Sequence, residues 1–143
     1  MTGFVILAAG ESTRMGQPKQ NLIFKVKTLL ENSVETGLQT TCRPVIVVIG
    51  ANADKITRAL QVTTLYNKYW KDGMASSIGK AIVEITNNLS VDSVIIMLCD
   101  QPFVSAALLN SLISKQTETR KNCGLRLQRR NGCPRIIWQN FFC

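Results

Sequence analysis

Histidine is absent from the 143-residue sequence. Without an imidazole the chain cannot use a Ser-His-Asp or Cys-His hydrolytic mechanism, and it has no histidine ligand for a metal. The five cysteines are odd in number and include no C-x-x-C pair, which disfavours both a disulfide framework and a thiolate zinc site. Cysteine usage therefore predicts a reducing, cytoplasmic location.

Long apolar runs are also missing. No stretch approaches the ~20 apolar residues that a transmembrane helix needs. The apolar run near the N-terminus has no basic region before it and is too short for a signal peptide. The sequence therefore predicts no membrane association, and its length suits one domain with a core of its own.

Acidic residues are few, with 9 Asp and Glu against 17 Lys and Arg and a net charge of +8. The excess is uneven, because up to Ser114 ten basic residues face eight acidic ones, whereas from Lys115 onward seven basic residues face only Glu118. A basic tail can bind nucleic acid. This chain shows no aromatic platform in a sheet and no recognition-helix pattern, so nucleic-acid binding is disfavoured.

What the sequence does have begins with an apolar run from Phe4 to Ala9, followed by Gly10, small hydroxyl residues and two cations, Arg14 and Lys19. A strand that ends in a glycine loop with cations is typical of phosphate binding, because backbone N–H groups and cations both attract the anion. The spacing fits neither G-x-G-x-x-G nor G-x-x-x-x-G-K-[ST]. An ordinary turn is disfavoured, since it needs neither cation, although each cation alone could form a surface salt bridge.

Four apolar segments alternate with helical patterns. The strands are predicted at residues 4–9, 45–49, 62–66 and 94–98. The helices are predicted at 29–38 behind a Thr28–Glu31 capping box and after Asn52 or Asp54 with Ile56, Ala59 and Leu60. Two more are predicted after Ser76 or Ser77, with apolar residues at helical spacing from Ile78 to Leu89 and an end at Asn87 and Asn88, and after Ser105. Leu38 and Leu108 are predicted on the buried helical faces. This alternation predicts an α/β fold with a mainly parallel sheet and right-handed crossovers.

In a doubly wound sheet the first strand lies beside the fourth, and ligands bind outside the carboxyl ends at that point. The topology therefore brings the 10–19 loop and Asp100 to one crevice. Asp100 follows an apolar strand and suits Mg²⁺, which takes one or two carboxylates plus phosphate oxygens and water. Its alternative role is to cap the next turn.

Three motifs occur in order: Leu7-Ala8-Ala9-Gly10-x-Ser12-x-Arg14-Met15-Gly16-x-Pro18-Lys19, then Asn67-x-x-Trp70-x-x-Gly73-Met74-x-Ser76-Ser77, then Cys99-Asp100-Gln101-Pro102. Together they resemble the molybdenum cofactor cytidylyltransferase-like (MobA-like NTP transferase) family from Gly3 to about Lys115. The resemblance implies a three-layer, Rossmann-like fold of the nucleotide-diphospho-sugar transferase type. It also implies transfer of a nucleoside monophosphate from an NTP to a phosphorylated acceptor such as molybdopterin, with Mg²⁺ as cofactor.

The resemblance also implies roles for residues. Arg14, Lys19 and Asp100 would be catalytic, with Asp100 the metal ligand. The nucleotide would be bound by Leu7, Ala8, Ala9, Gly10, Ser12, Arg14, Met15, Gly16, Lys19, Gly73 and Ser77. The sequence Ala8-Ala9-Gly10 is similar to that of the cytidylyl branch and favours CTP over GTP. Sugar-phosphate nucleotidyltransferases share the general form of the loop, so another phosphorylated acceptor stays open.

The chain is expected to divide at residue 119. Residues 120–143 carry much of the net charge without a clear strand or helix pattern, and the family's Gly-Val-Pro-like stretch and later acidic metal ligand are missing, as if the C-terminal part of the fold were lost. Codons can be chosen so that a one-nucleotide shift turns 131–135 into Met-Gly-Val-Pro-Ala. The tail is therefore hypothesised to be an out-of-frame translation, and the coding DNA around Thr119 would test this. A chain lacking the acceptor half could also be a nucleotide-binding remnant without catalysis.

Overall fold

The computed structural model describes residues 1–11, 16–56, 60–87, 91–119, 125–130 and 133–137. Of the predicted site residues, Ser12, Arg14 and Met15 lie outside these ranges. In the described ranges no helix is long and apolar enough to cross a membrane.

The main sheet has six strands, in the order β5-β4-β1-β6-β7-β8. They are β1 (Thr2–Ala8), β4 (Val45–Ile49), β5 (Thr63–Tyr66), β6 (Ser93–Leu98), β7 (Leu125–Arg130) and β8 (Cys133–Ile137), with a separate two-stranded hairpin of β2 (Ile23–Phe24) and β3 (Lys27–Thr28). The first four of these sheet strands pair in parallel. The predicted neighbours are confirmed, because β1 lies between β4 and β6.

Helices cover both faces of this sheet. They are α1 (Leu29–Gln39), α2 (Met74–Thr86) and α3 (Ala106–Thr119). Phe4 and Ile6 of β1 face one way and pack with Leu30 of α1 and Leu109 of α3. The alternate residues of β1, including Val5 and Leu7, pack with the inner face of α2. The strand β1 is therefore buried on both sides, as its unbroken apolar sequence predicts, and the three-layer α/β fold is confirmed.

Two predicted helix caps are observed. The Thr28 hydroxyl accepts from the Glu31 backbone N–H at 3.1 Å, and the Glu31 carboxylate accepts from the Thr28 backbone N–H at 2.8 Å. This reciprocal capping box satisfies two N–H groups that would otherwise lack partners. The Ser105 hydroxyl likewise accepts from the Leu108 backbone N–H.

The predicted cap of α2 is wrong. The helix begins at Met74 after Gly73, whose φ of 95° is in the region that favours glycine. Ser76 and Ser77 therefore lie in the first turn and not before it. Their hydroxyls bond to the preceding loop and to Asn67.

Where a helix is predicted after Asn52, the described residues form a 3-10 turn at Ala53–Lys55, without a side-chain cap. The Asn52 side chain donates instead to the Glu11 carbonyl at 3.3 Å. Residues 57–59, including Ala59, lie outside the described ranges, as does Leu89, whereas the predicted end of α2 at Asn87 is confirmed. The predicted burial of Leu38 and Leu108 is wrong too, because they are 36% and 51% exposed.

The tail contains two strands, although its sequence shows no clear strand pattern. β7 and β8 form an antiparallel hairpin, and β7 pairs antiparallel with β6. The run from Leu125 to Arg130 holds leucine at every second position before its arginine pair, a weak period-two signal that the high charge concealed.

Candidate functional site

A cavity of about 490 Å³ opens at the carboxyl ends of β1 and β6. Its wall combines the end of β1, the turn that follows the first loop, the start of α2 and the residues after β6. The lining residues are Leu7, Ala8, Ala9, Gly10, Glu11, Lys19, Gln20, Trp70, Lys71, Gly73, Met74, Ser77, Leu98, Cys99 and Asp100. Four separate stretches of sequence therefore meet around one space.

Eight of the predicted site residues line this cavity: Leu7, Ala8, Ala9, Gly10, Lys19, Gly73, Ser77 and Asp100. Gly16 is exposed and is not among the lining residues. Three predicted residues, Ser12, Arg14 and Met15, fall outside the described ranges. Within the described part of the chain, the structure thus brings together nearly all of the residues that the motifs singled out.

Lys19 and Asp100 form an ion pair across the cavity. The Lys19 Nζ lies 3.3 Å from the Asp100 Oδ2, and the two side chains are 42% and 37% exposed. Partly exposed pairs of this kind stabilise a fold by at most about 1 kcal/mol. Both groups can therefore exchange this contact for a charged ligand at small cost to the fold.

The end of β1 leaves room for a ligand next to the backbone. No atom of the described residues lies within 4 Å of a Cβ built on Gly10, and the same holds for Gly73 at the start of α2. Both glycines line the cavity. Among the described residues, a side chain at either position would therefore meet no neighbour, which leaves room for a ligand beside the backbone.

Gln20 fixes the loop after β1. Its side chain is 2% exposed, and Nε2 donates to the Ala8 carbonyl at 2.6 Å and to the Gly10 carbonyl at 3.1 Å. Both amide hydrogens are thus used on two carbonyls of one short segment, which sets the direction of its peptide groups. Gln20 Oε1 is buried and has no partner among the described residues.

Trp70, in the segment before α2, forms part of the cavity wall. It is partly buried and packs against the core cluster that includes Leu7 and Ile78. Gly50 at the end of β4 lies so close that a Cβ there would meet the Trp70 Cβ at 2.6 Å and the Ala9 carbonyl at 2.8 Å. Trp70 therefore both covers the core and shapes the cavity.

Cys99 precedes Asp100 and also lines the cavity. Burial raises the pKa of its thiol to about 12, with a further rise from the neighbouring Asp100 carboxylate. The thiol is therefore neutral at physiological pH and unsuited to nucleophilic attack, since the thiolate is the reactive form. Its role is to pack the end of β6.

The donor set fits a magnesium ion that is shared with phosphate. Two carboxylates, Asp100 and Glu11, line the cavity, whereas the described residues contain no group of three or more acidic, cysteine or histidine side chains that could hold a metal alone. Mg²⁺ is commonly held by one or two carboxylates, with phosphate oxygens and water completing its shell. The chemistry of this wall matches that mode.

Sequence reasoning missed three polar residues of the cavity: Glu11, Gln20 and Lys71. Gln20 directly follows Lys19 in a 3-10 turn, and its burial had no signal in the sequence because glutamine is usually exposed. Lys71 Nζ lies 5.5 Å from the centroid of the Trp70 ring. Its position beside a motif tryptophan was the one available hint of a cation in addition to Lys19 on the cavity wall.

Residues 4–138 match the family model described as the MobA-like NTP transferase domain. This range runs past Thr119, where the motif comparison predicted that the resemblance would end. Among curated proteins, the nicotine blue oxidoreductase of Paenarthrobacter nicotinovorans is 33% identical over 115 residues, which are 76% of this chain and 54% of the relative. The chain thus spans about half the length of that relative.

Three solved structures, of two proteins, are similar in sequence and fold. Rv0371c from Mycobacterium tuberculosis H37Rv superposes with a TM-score of 0.71 at 28% identity, covering 82% of this chain and 61% of that one. A nucleotidyl transferase from Methanothermobacter thermautotroptrophicus gives a TM-score of 0.69 at 26% identity, covering 80% and 57%. A manganese complex of Rv0371c matches at 26% identity with a TM-score of 0.67, covering 82% and 60%. The motifs lie around one cavity, and the family model matches most of the length of this chain. The chain therefore belongs to the MobA-like NTP transferase family of nucleotidyltransferases.

Proposed function

We propose that this chain binds an NTP, with CTP preferred, together with Mg²⁺, and transfers the nucleoside monophosphate to a phosphorylated acceptor such as molybdopterin, releasing pyrophosphate. The observation that carries the proposal is the joint presence of Lys19, Asp100 and the Gly10 segment on one cavity. A cation, a carboxylate and open backbone next to a glycine together match a nucleoside triphosphate with its metal better than they match any uncharged ligand.

In this reaction an acceptor phosphate oxygen attacks the α-phosphorus of the NTP. A new P–O bond forms to the acceptor, the bond between the α-phosphorus and the bridging oxygen breaks, and that oxygen leaves with the pyrophosphate. The protein contributes alignment and charge neutralisation, because little covalent chemistry is required of it. The cavity supplies no thiolate or imidazole nucleophile, which agrees with direct transfer to the acceptor.

Lys19 is assigned to the phosphates. Its ammonium already lies against a carboxylate at 3.3 Å, so a triphosphate oxygen can take the place of that carboxylate with similar geometry. Lys71 brings a second cation to the same cavity. Arg14, which is outside the described residues, is proposed as a third on the basis of its motif position, as are Ser12, Met15 and Gly16 for contacts to the nucleotide.

Asp100 is assigned to hold Mg²⁺, with Glu11 as the other carboxylate on the cavity wall. When bound, the metal would neutralise phosphate charge and favour departure of pyrophosphate. The manganese complex of the similar Rv0371c supports a divalent cation in this family. Lys19 would then be released from Asp100 and made available to the phosphates in the same event.

The preference for CTP rests on the Ala8-Ala9 spelling at the end of β1, where both residues line the cavity. Isothermal titration of CTP, GTP, ATP and UTP, each with and without Mg²⁺, tests this. We expect the tightest binding for CTP with Mg²⁺ and a loss of the Mg²⁺ effect in Asp100→Ala. If no NTP binds at millimolar concentration and Asp100→Ala changes nothing, the proposal is wrong.

Transfer is tested separately from binding. Pyrophosphate release is measured with molybdopterin and with sugar phosphates as acceptors, because the glycine loop is shared with sugar-phosphate nucleotidyltransferases. Tight CTP binding without pyrophosphate release for any acceptor would support the second candidate, a nucleotide-binding protein without catalysis.

A redox function is a further candidate, because the 33% identical relative is named an oxidoreductase. NADH and NADPH are therefore included in the same titrations. Binding of either dinucleotide more tightly than any NTP, without dependence on Asp100, would favour this candidate over nucleotidyl transfer.

A further inference from the structure

Asn67 lies between the end of β5 and the start of α2 and is 2% exposed. Its backbone N–H donates to the Ile49 carbonyl at 2.8 Å, and its carbonyl accepts from the Trp70 N–H at 3.3 Å. All of its side-chain polar atoms are also used. A buried amide with every group paired is a specific, rigid element of a structure.

The orientation of this amide follows from its partners. Oδ1 accepts from the Tyr69 backbone N–H at 3.1 Å, and a backbone N–H can only donate. Nδ2 must therefore face the two hydroxyls of Ser76 and Ser77, which it reaches at 2.9 Å each. Exchanging the oxygen and nitrogen of the amide would set two donors against each other.

The two serines differ in whether a described residue accepts their hydroxyl proton. The Ser76 hydroxyl has acceptors within the protein, the Tyr69 carbonyl at 2.8 Å and the Gly73 carbonyl at 2.9 Å. Ser77 is 3% exposed and lines the cavity. Its oxygen receives the Asn67 amide hydrogen, and no described residue accepts the Ser77 hydroxyl proton.

We propose that Asn67 is a positioning residue for the nucleotide: by donating to Ser77 Oγ it leaves the Ser77 hydroxyl to act as a hydrogen-bond donor to an acceptor atom of the nucleoside in the cavity. The inference rests on the proposed function and goes beyond it. Asn67 is not among the residues that line the cavity, so it acts through Ser77. The ligand atom recognised is a base carbonyl, a ring nitrogen or a ribose oxygen, and not an N–H group.

The test is a double-mutant cycle on CTP–Mg²⁺ affinity. Asn67→Asp has nearly the same shape but no donor, so its carboxylate would accept the Ser77 proton and turn it away from the ligand. We expect Asn67→Asp and Ser77→Ala each to weaken CTP binding by about two- to tenfold or more, the range for one neutral hydrogen bond. The added charge also repels phosphate. The informative quantity is therefore the effect of Asn67→Asp on CTP affinity with serine at residue 77, compared with its effect with alanine at that residue. Asn67→Asp should cost at least threefold more when residue 77 is serine than when it is alanine.

Ser76→Ala is the matched control, since it removes the other hydroxyl on the same amide. It should keep CTP affinity within about twofold of the parent, while thermal melting without ligand records the stability cost of all variants. Equal losses for Asn67→Asp in both backgrounds, or a loss for Ser76→Ala as large as for Ser77→Ala, would overturn the inference and give Asn67 a purely structural role.

The same titrations separate the two proposals. A parent protein that binds no NTP overturns the proposed function and this inference with it, whereas a parent that binds CTP without the Asn67–Ser77 coupling overturns the inference alone. Titrations with other nucleotides show whether the acceptor atom lies on the ribose or on the base. If Ser77→Ala weakens CTP, UTP and GTP equally, the acceptor is on the ribose, and if it weakens them unequally, the acceptor is on the base.

Discussion

Lys19 Nζ and Asp100 Oδ2 are 3.3 Å apart, although 81 positions separate the two residues in the sequence. The contact joins the turn after the first loop to the end of β6. In this pair each group compensates the charge of the other. A nucleotide with its metal would bring both a negative and a positive partner and so replace both halves of this pair together.

Replacing Lys19 should affect the ligand more than the fold. We expect Lys19→Ala to weaken CTP–Mg²⁺ binding by about ten- to a hundredfold, the value of a charged hydrogen bond of roughly 1.5–3 kcal/mol. The stability should change by less than about 0.5 to 1 kcal/mol, because the ion pair is partly exposed. Titration calorimetry and urea unfolding measure the two quantities.

Lys27→Ala is the control for Lys19→Ala. Lys27 forms an ion pair with Glu35 at 2.7 Å, with side chains 51% and 46% exposed, and it does not line the cavity. Its removal should leave CTP affinity unchanged. A Lys19→Ala protein that melts well below the parent yet binds CTP–Mg²⁺ normally would show that Lys19 is structural.

Asp100→Asn should separate metal binding from nucleotide binding. The amide keeps the shape of the carboxylate and lacks the charge that attracts Mg²⁺. We expect the enhancement of CTP binding by Mg²⁺ to fall by at least tenfold, while CTP binding without Mg²⁺ stays equal or improves because a negative charge is removed. A variant whose Mg²⁺ titration superposes on that of the parent would assign the metal elsewhere.

Gln20→Leu should loosen the loop after β1. It removes the two hydrogen bonds to the Ala8 and Gly10 carbonyls and leaves the buried Ala8 carbonyl without this donor. A cost of about 1–3 kcal/mol in stability follows for such unsatisfied groups, with weaker CTP binding in addition. Asn21→Ala is the control, since it removes a single exposed bond to the Lys55 carbonyl and should cost less than about 0.5 kcal/mol.

Replacing glycine by alanine should change the stability of the protein in opposite directions at Gly50 and Gly79. At Gly50 the new Cβ would overlap Trp70 and the Ala9 carbonyl, and we expect destabilisation of about 1–3 kcal/mol. At Gly79, inside α2, nothing lies within 4 Å of the added Cβ, so higher helix propensity should stabilise the protein by about 0.5–1 kcal/mol. Equal melting temperatures for the two variants would contradict this packing of Trp70.

Cys99 should make stability depend on pH in the alkaline range. The pKa of this thiol is about 12 when folded against a reference value of 9.0, so above pH 9 the unfolded chain loses its proton first. The contribution of Cys99 is therefore fully present below pH 9 and is lost as pH rises through about 12. Above pH 9 the stability of the parent should fall more steeply than that of Cys99→Ala, and parallel curves would show that the thiol ionises while folded.

The parallel strands and the main contents of the site could be predicted from the sequence because their signals are local, and the topology of a doubly wound sheet then places β1 beside β6. Unbroken β-branched runs such as Val45–Ile49 indicate doubly covered strands, and the position of Asp100 after such a run fixes its place at the sheet edge. The roles of Gln20 and Asn67 could not be predicted. Each depends on hydrogen bonds to residues that only the folded chain brings near, and polar residues of this type are most often exposed.

Helix starts show the same contrast. The capping box of Thr28 and Glu31 is complete within four residues and was predicted correctly. The start of α2 was misplaced, because a serine next to an apolar run usually caps a helix, whereas here Gly73 takes the backbone turn and Asn67 engages Ser76 and Ser77. The competing partner comes from outside the helix, where a local pattern has no information.

The position of β1 between β4 and β6 also constrains how the protein folds during synthesis. One edge of β1 can pair once β4 has been made, but the strand for its other edge ends only at Leu98. Until then a largely apolar strand presents unpaired backbone groups, the form of edge most prone to join another chain. This exposure is prolonged because non-local pairing is slow. It ends when β6 pairs with β1, and the same step completes the cavity. Variants that slow the docking of β6 should therefore be recovered in lower soluble yield even when their final stability is unchanged.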